Sequence, residues 1–371
     1  MSLSFKPVSA DSHVVEPPDL WTKRIDRKFL DRAPRIVHDP DQDMFWCPGG
    51  RTDKRGIGTS SSVLKEAKDV KMAERWENVL PGAYEPFARL KDQDRDGVEA
   101  EVLYTTFGTT FYPIKDLDFQ LACMQSFNDW LANFCSTAPK RLFGVAMIPT
   151  EPLEQGVKEM ERCRKMGLVS AQISVQQEIG EGYHHAKWAP LWDASADLNM
   201  PVSLHVAGDK KWFTLTNNML VDFSLAFTPV MYSICTMIMG GTFDRHPKLK
   251  VLSVENDASW PAPALERMDY HYFRDQTWAG QGGITSGRTP SQIFHEQVIC
   301  TFMRDKTAVR CRDIIGTRNM MWGSDFPHYD GTWPKSIPNL EEHFPGVPVE
   351  DQKAIARNNV IELYNLPLEP N

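Results

Sequence analysis

The sequence predicts an α/β chain folded as a distorted (β/α)8 TIM barrel with an insertion after the first strand, and three observations predict it. Eight short runs rich in Val, Ile, Leu and Met alternate with longer stretches of helical period, the pattern of a parallel sheet with crossover helices. Side chains able to hold a metal ion sit at or just after the ends of several of those runs, and one rim of a parallel barrel would gather them. The 371 residues, 42 % of them apolar, supply a core of the required size.

The runs, in order, are 7–11 (PVSAD), 100–104 (AEVLY), 142–148 (LFGVAMI), 169–174 (VSAQIS), 202–206 (VSLHV), 249–255 (LKVLSVE), 297–302 (QVICTF) and 319–324 (NMMWGS). Between them, 117–136 places Leu117, Leu121, Met124, Phe127, Leu131 and Phe134 at helical spacing, and 154–166, 187–199, 222–240, 260–274 and 305–315 also read as helices. These form the outer ring. Residues 30–75 break the rhythm, being polar and punctuated by Pro40, Pro48, Gly49 and Gly50, with GIGTSSS at 56–62; they read as an insertion, a small hairpin over the barrel mouth. A second irregular stretch, 276–292, contains GQGG and SGRTP and reads as a lid or an oligomer contact. A last helix, about 349–365, precedes the tail LPLEPN, so residues 1–371 are expected to form one barrel domain.

Composition narrows the partners. A net charge of −8 without a long basic run argues against binding a phosphate backbone, which leaves a small-molecule substrate. The seven cysteines are scattered and free of CxxC spacing, as expected of reduced thiols in the cytoplasm. The start, MSLSFKPVSADSH, lacks a signal core, and no run reaches the roughly 18 apolar residues of a membrane span, so no membrane is expected.

The chemistry concentrates in a few side chains. Asp11 and His13 are two apart on an extended segment, so both point to one side and can hold one ion together. Glu16, stiffened by Pro17 and Pro18, is expected to turn its carboxylate to the same pocket. His205 ends an apolar strand with no polar partner of its own, and neutral imidazole serves Zn, Fe and Mn alike. Asp325 follows the last strand in WGSDFPHYDGTWP, where Gly323 permits close backbone approach; a buried acid there calls for a cation or acts as general base. Glu255 could bridge two metals, hold one, or orient His205 from behind. His328 is a ligand or proton shuttle, and Arg304 a clamp for a substrate carboxylate. Tyr104 and Trp212, with Phe107, Phe111, Tyr112 and Trp333, are expected to line an apolar pocket, to which His184 and His185 could add. His38, His246 and His271 read as structural.

Four blocks then carry a resemblance: DSHVVEPPDLW at 11–21, PLWDASADLNMPVSLHV at 190–206, HPKLKVLSVENDASWPAPALERMD at 246–269 and WGSDFPHYDGTWP at 322–334. Together they are similar to the amidohydrolase superfamily, in particular the amidohydrolase-related (amidohydrolase 2) branch that includes aminocarboxymuconate semialdehyde and resorcylate decarboxylases. The resemblance implies one or two divalent ions (Zn, Mn or Fe), ligands at Asp11, His13 and His205, a strand-eight acid at Asp325, and a homodimer. Two departures stand out: Asp-x-His replaces His-x-His or Glu-x-His in the first motif, and Glu255 stands where many members carry histidine. Strand four offers Gln172 and no lysine, so a carbamylated-lysine bridge is not expected.

The leading expectation is a metal-dependent hydrolase or non-oxidative decarboxylase (lyase) acting on a small carboxylated or aromatic compound, with Asp325 and His328 as proton carriers. The alternative, drawn from the carboxylate-rich ligand set, is a non-haem diiron monooxygenase on the same fold. A third reading is a barrel that binds ligand without catalysis.

Overall fold

The computed structural model describes residues 3–60, 62–71, 73–177, 181–207, 218–279 and 283–370. Strand β1 (Val8–Val14) is followed by β2 (Arg35–His38), β3 (Asp43–Trp46) and β4 (Lys54–Gly56), and then by β5 (Ala100–Thr105), β6 (Leu142–Met147), β7 (Ser170–Ile173), β8 (Val202–His205), β9 (Val251–Val254), β10 (Val298–Phe302) and β11 (Met320–Trp322). Eight of these, in the order β1-β5-β6-β7-β8-β9-β10-β11, form one parallel sheet. All eight expected runs are strands of this (β/α)8 barrel. Each is buried along its whole length, because lumen and helix ring cover both faces, and that two-sided burial produces near-continuous apolar runs.

Closure of the barrel is specific. The chain leaving β11 returns to β1 through backbone hydrogen bonds from Asp325 N–H to the Asp11 carbonyl (2.9 Å) and from His13 N–H to the Phe326 carbonyl (2.6 Å). Gly323 is needed at this seam, since a Cβ there would stand 2.5 Å from the Asp11 Cβ. The seam therefore sets Asp325 beside Asp11 and His13, both more than 300 positions away from it in the chain. At the other end of the lumen, Val8, Val102, Val145, Leu252, Ile299 and Met321 pack with Val360, Ile361 and Tyr364 of the last helix, which plugs the barrel.

The insertion holds the separate antiparallel sheet β2-β3-β4. Ring stacking of Phe45 on Phe107 (centroids 4.6 Å apart, 8° between planes) seats it on the loop after β5. The helix at Leu117–Ser136 runs as expected, started by the Asp116 carboxylate on the Phe119 amide (3.1 Å). Three expectations need correction. The helix expected at 222–240 is two helices, Met219–Ser224 and Thr228–Met239, because Pro229 brings no amide hydrogen to continue the ladder. The helix at 305–315 breaks at Cys311 into Lys306–Arg310 and Arg312–Ile315. The stretch 276–292 is less irregular than its glycines suggest: one helix runs on from Pro261 to Ala279, and another opens at Pro290 behind a capping box between Thr289 and Gln292. The expectation that no stretch suits a membrane also meets one exception. Leu220–Met239 passes by length and mean hydropathy of 1.4, although in the fold it is broken near Ala226 and 39 % buried.

One buried acid supports the loop that follows the site. Asp96 accepts from the Ser336 amide (2.9 Å) and hydroxyl, Ser336 pairs with Thr332, and the Thr332 amide donates to the Ser324 carbonyl (2.8 Å). Burial pushes the Asp96 carboxyl up to about 6, against the two Ser336 hydrogen bonds that pull it down. A folded-state value raised above the unfolded one means stability fully present below about pH 4 and lost as pH rises through about 6. Asp96→Asn should remove that slope, changing the wild-type-minus-variant stability by on the order of 2–3 kcal/mol between pH 4 and pH 7 in urea titrations. Parallel curves for the two proteins would contradict it.

Candidate metal centre

The ends of β1, β8, β9 and β11 deliver one compact cluster. Asp11 and His13 project from β1, which carries a register shift between Ser9 and Ser12. His205 ends β8, Glu255 follows β9, and Asp325 follows β11. His13 Nε2 lies 3.7 Å from Asp11 Oδ1, 3.4 Å from Glu255 Oε2, 3.4 Å from Asp325 Oδ1 and 3.2 Å from His205 Nε2. His205 Nε2 lies 3.6 Å from Asp11 Oδ1 and 3.2 Å from Glu255 Oε2. Asp11, His13, His205 and Asp325 are buried, while the Glu255 side chain is 19 % exposed and forms the open side.

Both imidazoles are oriented from behind. His13 Nδ1 is 2.9 Å from the Thr105 carbonyl and His205 Nδ1 is 2.8 Å from the Val206 carbonyl, so each Nδ1 carries the hydrogen and each Nε2 faces the cluster. The carboxylates are aimed by the backbone. Glu255 and Asp325 adopt φ of +56° and +53°, a region that non-glycine residues enter at a cost. Asn256 Nδ2 on the Val254 carbonyl (2.6 Å) braces the first of these turns. Thr301 on β10 receives the Glu255 amide (2.9 Å) and donates to Asp11 Oδ2 (3.3 Å), tying two of the acids together.

These donors fit a divalent cation. Asp11 Oδ1 and Asp325 Oδ2 are buried with no hydrogen-bond partner, a costly state for a carboxylate that a cation relieves. Burial and then its acidic neighbours push Asp325 and Glu255 well above the usual carboxylate range. Burial and then His328 and His205 push His13 well below the usual imidazole range, leaving it neutral. For His205 burial works against protonation, yet Asp11 and Glu255 prevail and pull it up to about 9: the acids demand a positive charge at the nitrogen facing them. A metal ion supplies that charge without a proton.

The remaining expected residues divide. His328 joins the cluster: its ring packs tilted against that of His13 (centroids 4.1 Å apart, 35° between planes), Nδ1 lies 2.9 Å from Asp325 Oδ1, and Nε2 lies 2.9 Å from Thr106 Oγ1. Glu16, expected as a ligand, is instead spent on the loop after β5. Its carboxylate accepts from Thr105 Oγ1, from the Phe107 amide (3.0 Å) and from the Gly108 amide (3.2 Å), and it belongs to neither group of metal-holding side chains. Arg304, expected as a substrate clamp, holds the loop after β11: it donates to the Asp330 and Gly331 carbonyls and pairs with the Asp330 carboxylate. Tyr104 is fully buried inside the barrel, its ring 4.9 Å from that of His205 and its hydroxyl 3.0 Å from Ser203 Oγ, so it supports the imidazoles and does not line an open pocket. Trp212 lies outside the described residues. His38, His246 and His271 each pair with an aspartate, Asp43, Asp193 and Asp275, away from the cluster.

Sequence reasoning missed Arg55. It projects from β4 of the insertion, donates to the Thr106 carbonyl (3.2 Å), lies 5.9 Å from the centre of the Phe107 ring, and is close enough to Glu16, Glu255 and His328 to influence their charge. Arg51, from the same insertion, donates to the Thr109 carbonyl (3.3 Å) and to the Ala207 carbonyl after β8. The insertion thus puts cationic side chains at the rim. Their neighbours in sequence, PGGRTDKRGIG at 48–58, are mostly polar or glycine and gave no periodic signal to find them by.

Comparisons with known proteins agree with this architecture. The family model for amidohydrolases matches residues 73–366. The 2-amino-3-carboxymuconate-6-semialdehyde decarboxylase of Dictyostelium discoideum is 24 % identical over 254 residues, 66 % of this chain and 67 % of its own. The gamma-resorcylate decarboxylase of a Polaromonas species is 22 % identical over 299 residues, 75 % of this chain and 86 % of its own. Among solved structures, an amidohydrolase from Mycobacterium avium subsp. paratuberculosis superposes with a TM-score of 0.80 at 19 % identity, covering 98 % of this chain and 100 % of its own. The 5-carboxyvanillate decarboxylase of Novosphingobium aromaticivorans, complexed with manganese and 4-hydroxy-3-methoxy-5-nitrobenzoic acid, superposes with a TM-score of 0.72 at 16 % identity, covering 98 % and 97 %. None of the relatives named here is an oxygenase. With the family model matching most of its length, the chain belongs to the amidohydrolase family, in its amidohydrolase 2 branch.

Proposed function

We propose that the protein is a metal-dependent, non-oxidative decarboxylase of a small aromatic or unsaturated carboxylic acid. The observation that carries this reading is the buried group Asp11, His13, His205 and Asp325, with an unpartnered carboxylate oxygen on each aspartate, facing a rim that carries Arg55. The decarboxylases among the relatives support it. Asp11, His13, His205 and Glu255 would hold a divalent ion, which would supply positive charge to polarise substrate oxygens and to offset the charge left on the substrate as CO2 departs. Manganese suits the oxygen-rich donor set, and one relative's structure contains it.

The chain's own residues do the rest. Arg55 offers a planar fork to an incoming carboxylate. Thr106 holds His328, and His328 donates from Nδ1 to Asp325 Oδ1, leaving Asp325 Oδ2 as the oxygen from which a proton passes to the carbon that loses CO2. The carbon–carboxylate bond breaks, its electron pair takes that proton, and CO2 leaves. Seven free cysteines, buried or half-buried, suit a reducing cytosol.

The test is turnover of a panel of hydroxylated benzoic acids with added manganese, following CO2 and dissolved oxygen together. One CO2 per acid consumed without oxygen uptake is expected. Oxygen uptake coupled to product, or hydrolysis of an amide or lactone panel with no CO2 from any acid, would overturn the reading.

A further inference from the structure

We infer that Gln172, on β7, binds a hydroxyl group of the substrate and sets a preference for hydroxylated acids. This deepens the decarboxylase reading and rests on it for the substrate class. Gln172 is 0 % exposed, and neither its amide oxygen nor its amide nitrogen has a hydrogen-bond partner among the described residues. A primary amide carries one acceptor and two donors, and burying them all unpaired is costly. Such a group calls for a partner that the protein itself does not supply.

Strand register shows where the amide faces. Ala171 and Ile173, on either side of Gln172, belong to the same apolar cluster as Met160 and Leu191 of the surrounding helices, so Gln172 turns the other way, into the lumen. Its register partners are Met147 on β6 and Ser203 on β8, and paired residues of a parallel sheet point to one side. Ser203 Oγ lies 3.0 Å from the Tyr104 hydroxyl, and the Tyr104 ring is 4.9 Å from that of His205, two residues beyond Ser203. Met147 reaches the turn after β5, where its sulfur would stand 2.3 Å from a Cβ on Gly108, one of the residues whose amide Glu16 holds. Gln172 therefore stands on the lumen wall between that turn and His205. The hydroxyls beside it are already taken: Ser203 pairs with Ser170 (2.9 Å), and Ser170 donates to the Pro201 carbonyl (2.8 Å). The Tyr112 hydroxyl donates to the Gln172 carbonyl (3.0 Å), which fixes the backbone and leaves the side chain uncommitted. A hydroxyl on the substrate both donates and accepts, so it can use either end of the amide, whereas a carboxylate could use the nitrogen alone.

Nitrobenzene and its 2-, 3- and 4-hydroxy derivatives serve as probes, since a nitro group has the shape of a carboxylate and cannot leave as CO2. Their binding to the full-length protein supplied with manganese is measured by equilibrium dialysis, and each variant is melted to check its fold. Wild type should bind at least one hydroxylated probe about tenfold or more tighter than nitrobenzene. Gln172→Met, which keeps the length of the side chain without the amide, should lose that preference while its affinity for nitrobenzene holds. If Gln172→Met does not fold, Gln172→Ala carries the test. No preference in wild type, a preference retained by the variant, or a loss of affinity for all probes alike overturns this inference. The probes release no CO2, so the two readings fail separately: CO2 from acids without this preference leaves the decarboxylase standing alone, and the preference without CO2 from any acid keeps the hydroxyl site and removes the decarboxylase.

Discussion

Replacing Asp325 by asparagine is expected to lower kcat/KM for decarboxylation by about 10²–10⁴-fold, the range that a positioned proton carrier contributes. The substitution keeps the shape and the backbone hydrogen bond to Asp11, so the barrel seam survives. It removes the one carboxylate oxygen of that residue that is buried without a partner, and an amide there can neither carry the proton nor balance a cation. Burial and the Asp11 charge raise the Asp325 carboxyl well above its usual range, so the cation-free wild type pays for an acid that the variant lacks. The variant should therefore melt no lower than wild type without metal while losing turnover. An active Asp325→Asn enzyme would remove Asp325 from the chemistry.

The largest stability effect is expected at Arg89, far from any expected site residue in sequence. Its guanidinium is fully buried, 2.5 Å from Glu101 Oε2 through Nε and 2.8 Å from the His13 carbonyl through Nη1, and it lies 4.4 Å from the centre of the Phe326 ring. Glu101 also accepts from Ser12 Oγ (3.0 Å) and Gln93 Nε2 (2.7 Å). One arginine thus ties the helix at Pro86–Asp96 to both sides of the barrel seam, beside the segment that carries Asp11 and His13. Arg89→Leu leaves Glu101 buried without its counter-charge, which costs about 3–5 kcal/mol. Urea unfolding measures it, and Glu101→Gln in the same background should recover part of the loss. A loss below about 1 kcal/mol would show that the pair is dispensable.

The barrel was legible in the sequence because parallel strands buried on both faces must be apolar throughout, and VSLHV or LKVLSVE can be little else. The candidate site was legible for a related reason: an acid or histidine at the end of such a run is conspicuous, and Asp11, His13, His205, Glu255, Asp325 and His328, singled out that way, come together in the fold. What failed was judging where a side chain is spent. Glu16 looks as available as Glu255, but the amides of Phe107 and Gly108, some 90 positions on, take its carboxylate. Arg304 looks like a free fork until the loop at 330–331 folds onto it. Arg55, Arg89, Thr106 and Thr301 carry no signal of their own, since each acts through a partner that only the closed barrel brings near. Helix breaks at Pro229 and Cys311 likewise depended on packing and local geometry beyond the apolar period.

The central claim is that the buried cluster at the carboxyl end of the barrel binds a divalent cation. The most direct measurement is the melting temperature of chelator-stripped protein with and without manganese, for wild type and His205→Ala. At a manganese concentration of about 100 Kd, binding to the folded state should stabilise wild type by about 2.7 kcal/mol, with most of that gain absent in His205→Ala. A wild-type melt that manganese, zinc and iron(II) all leave unmoved would contradict the claim.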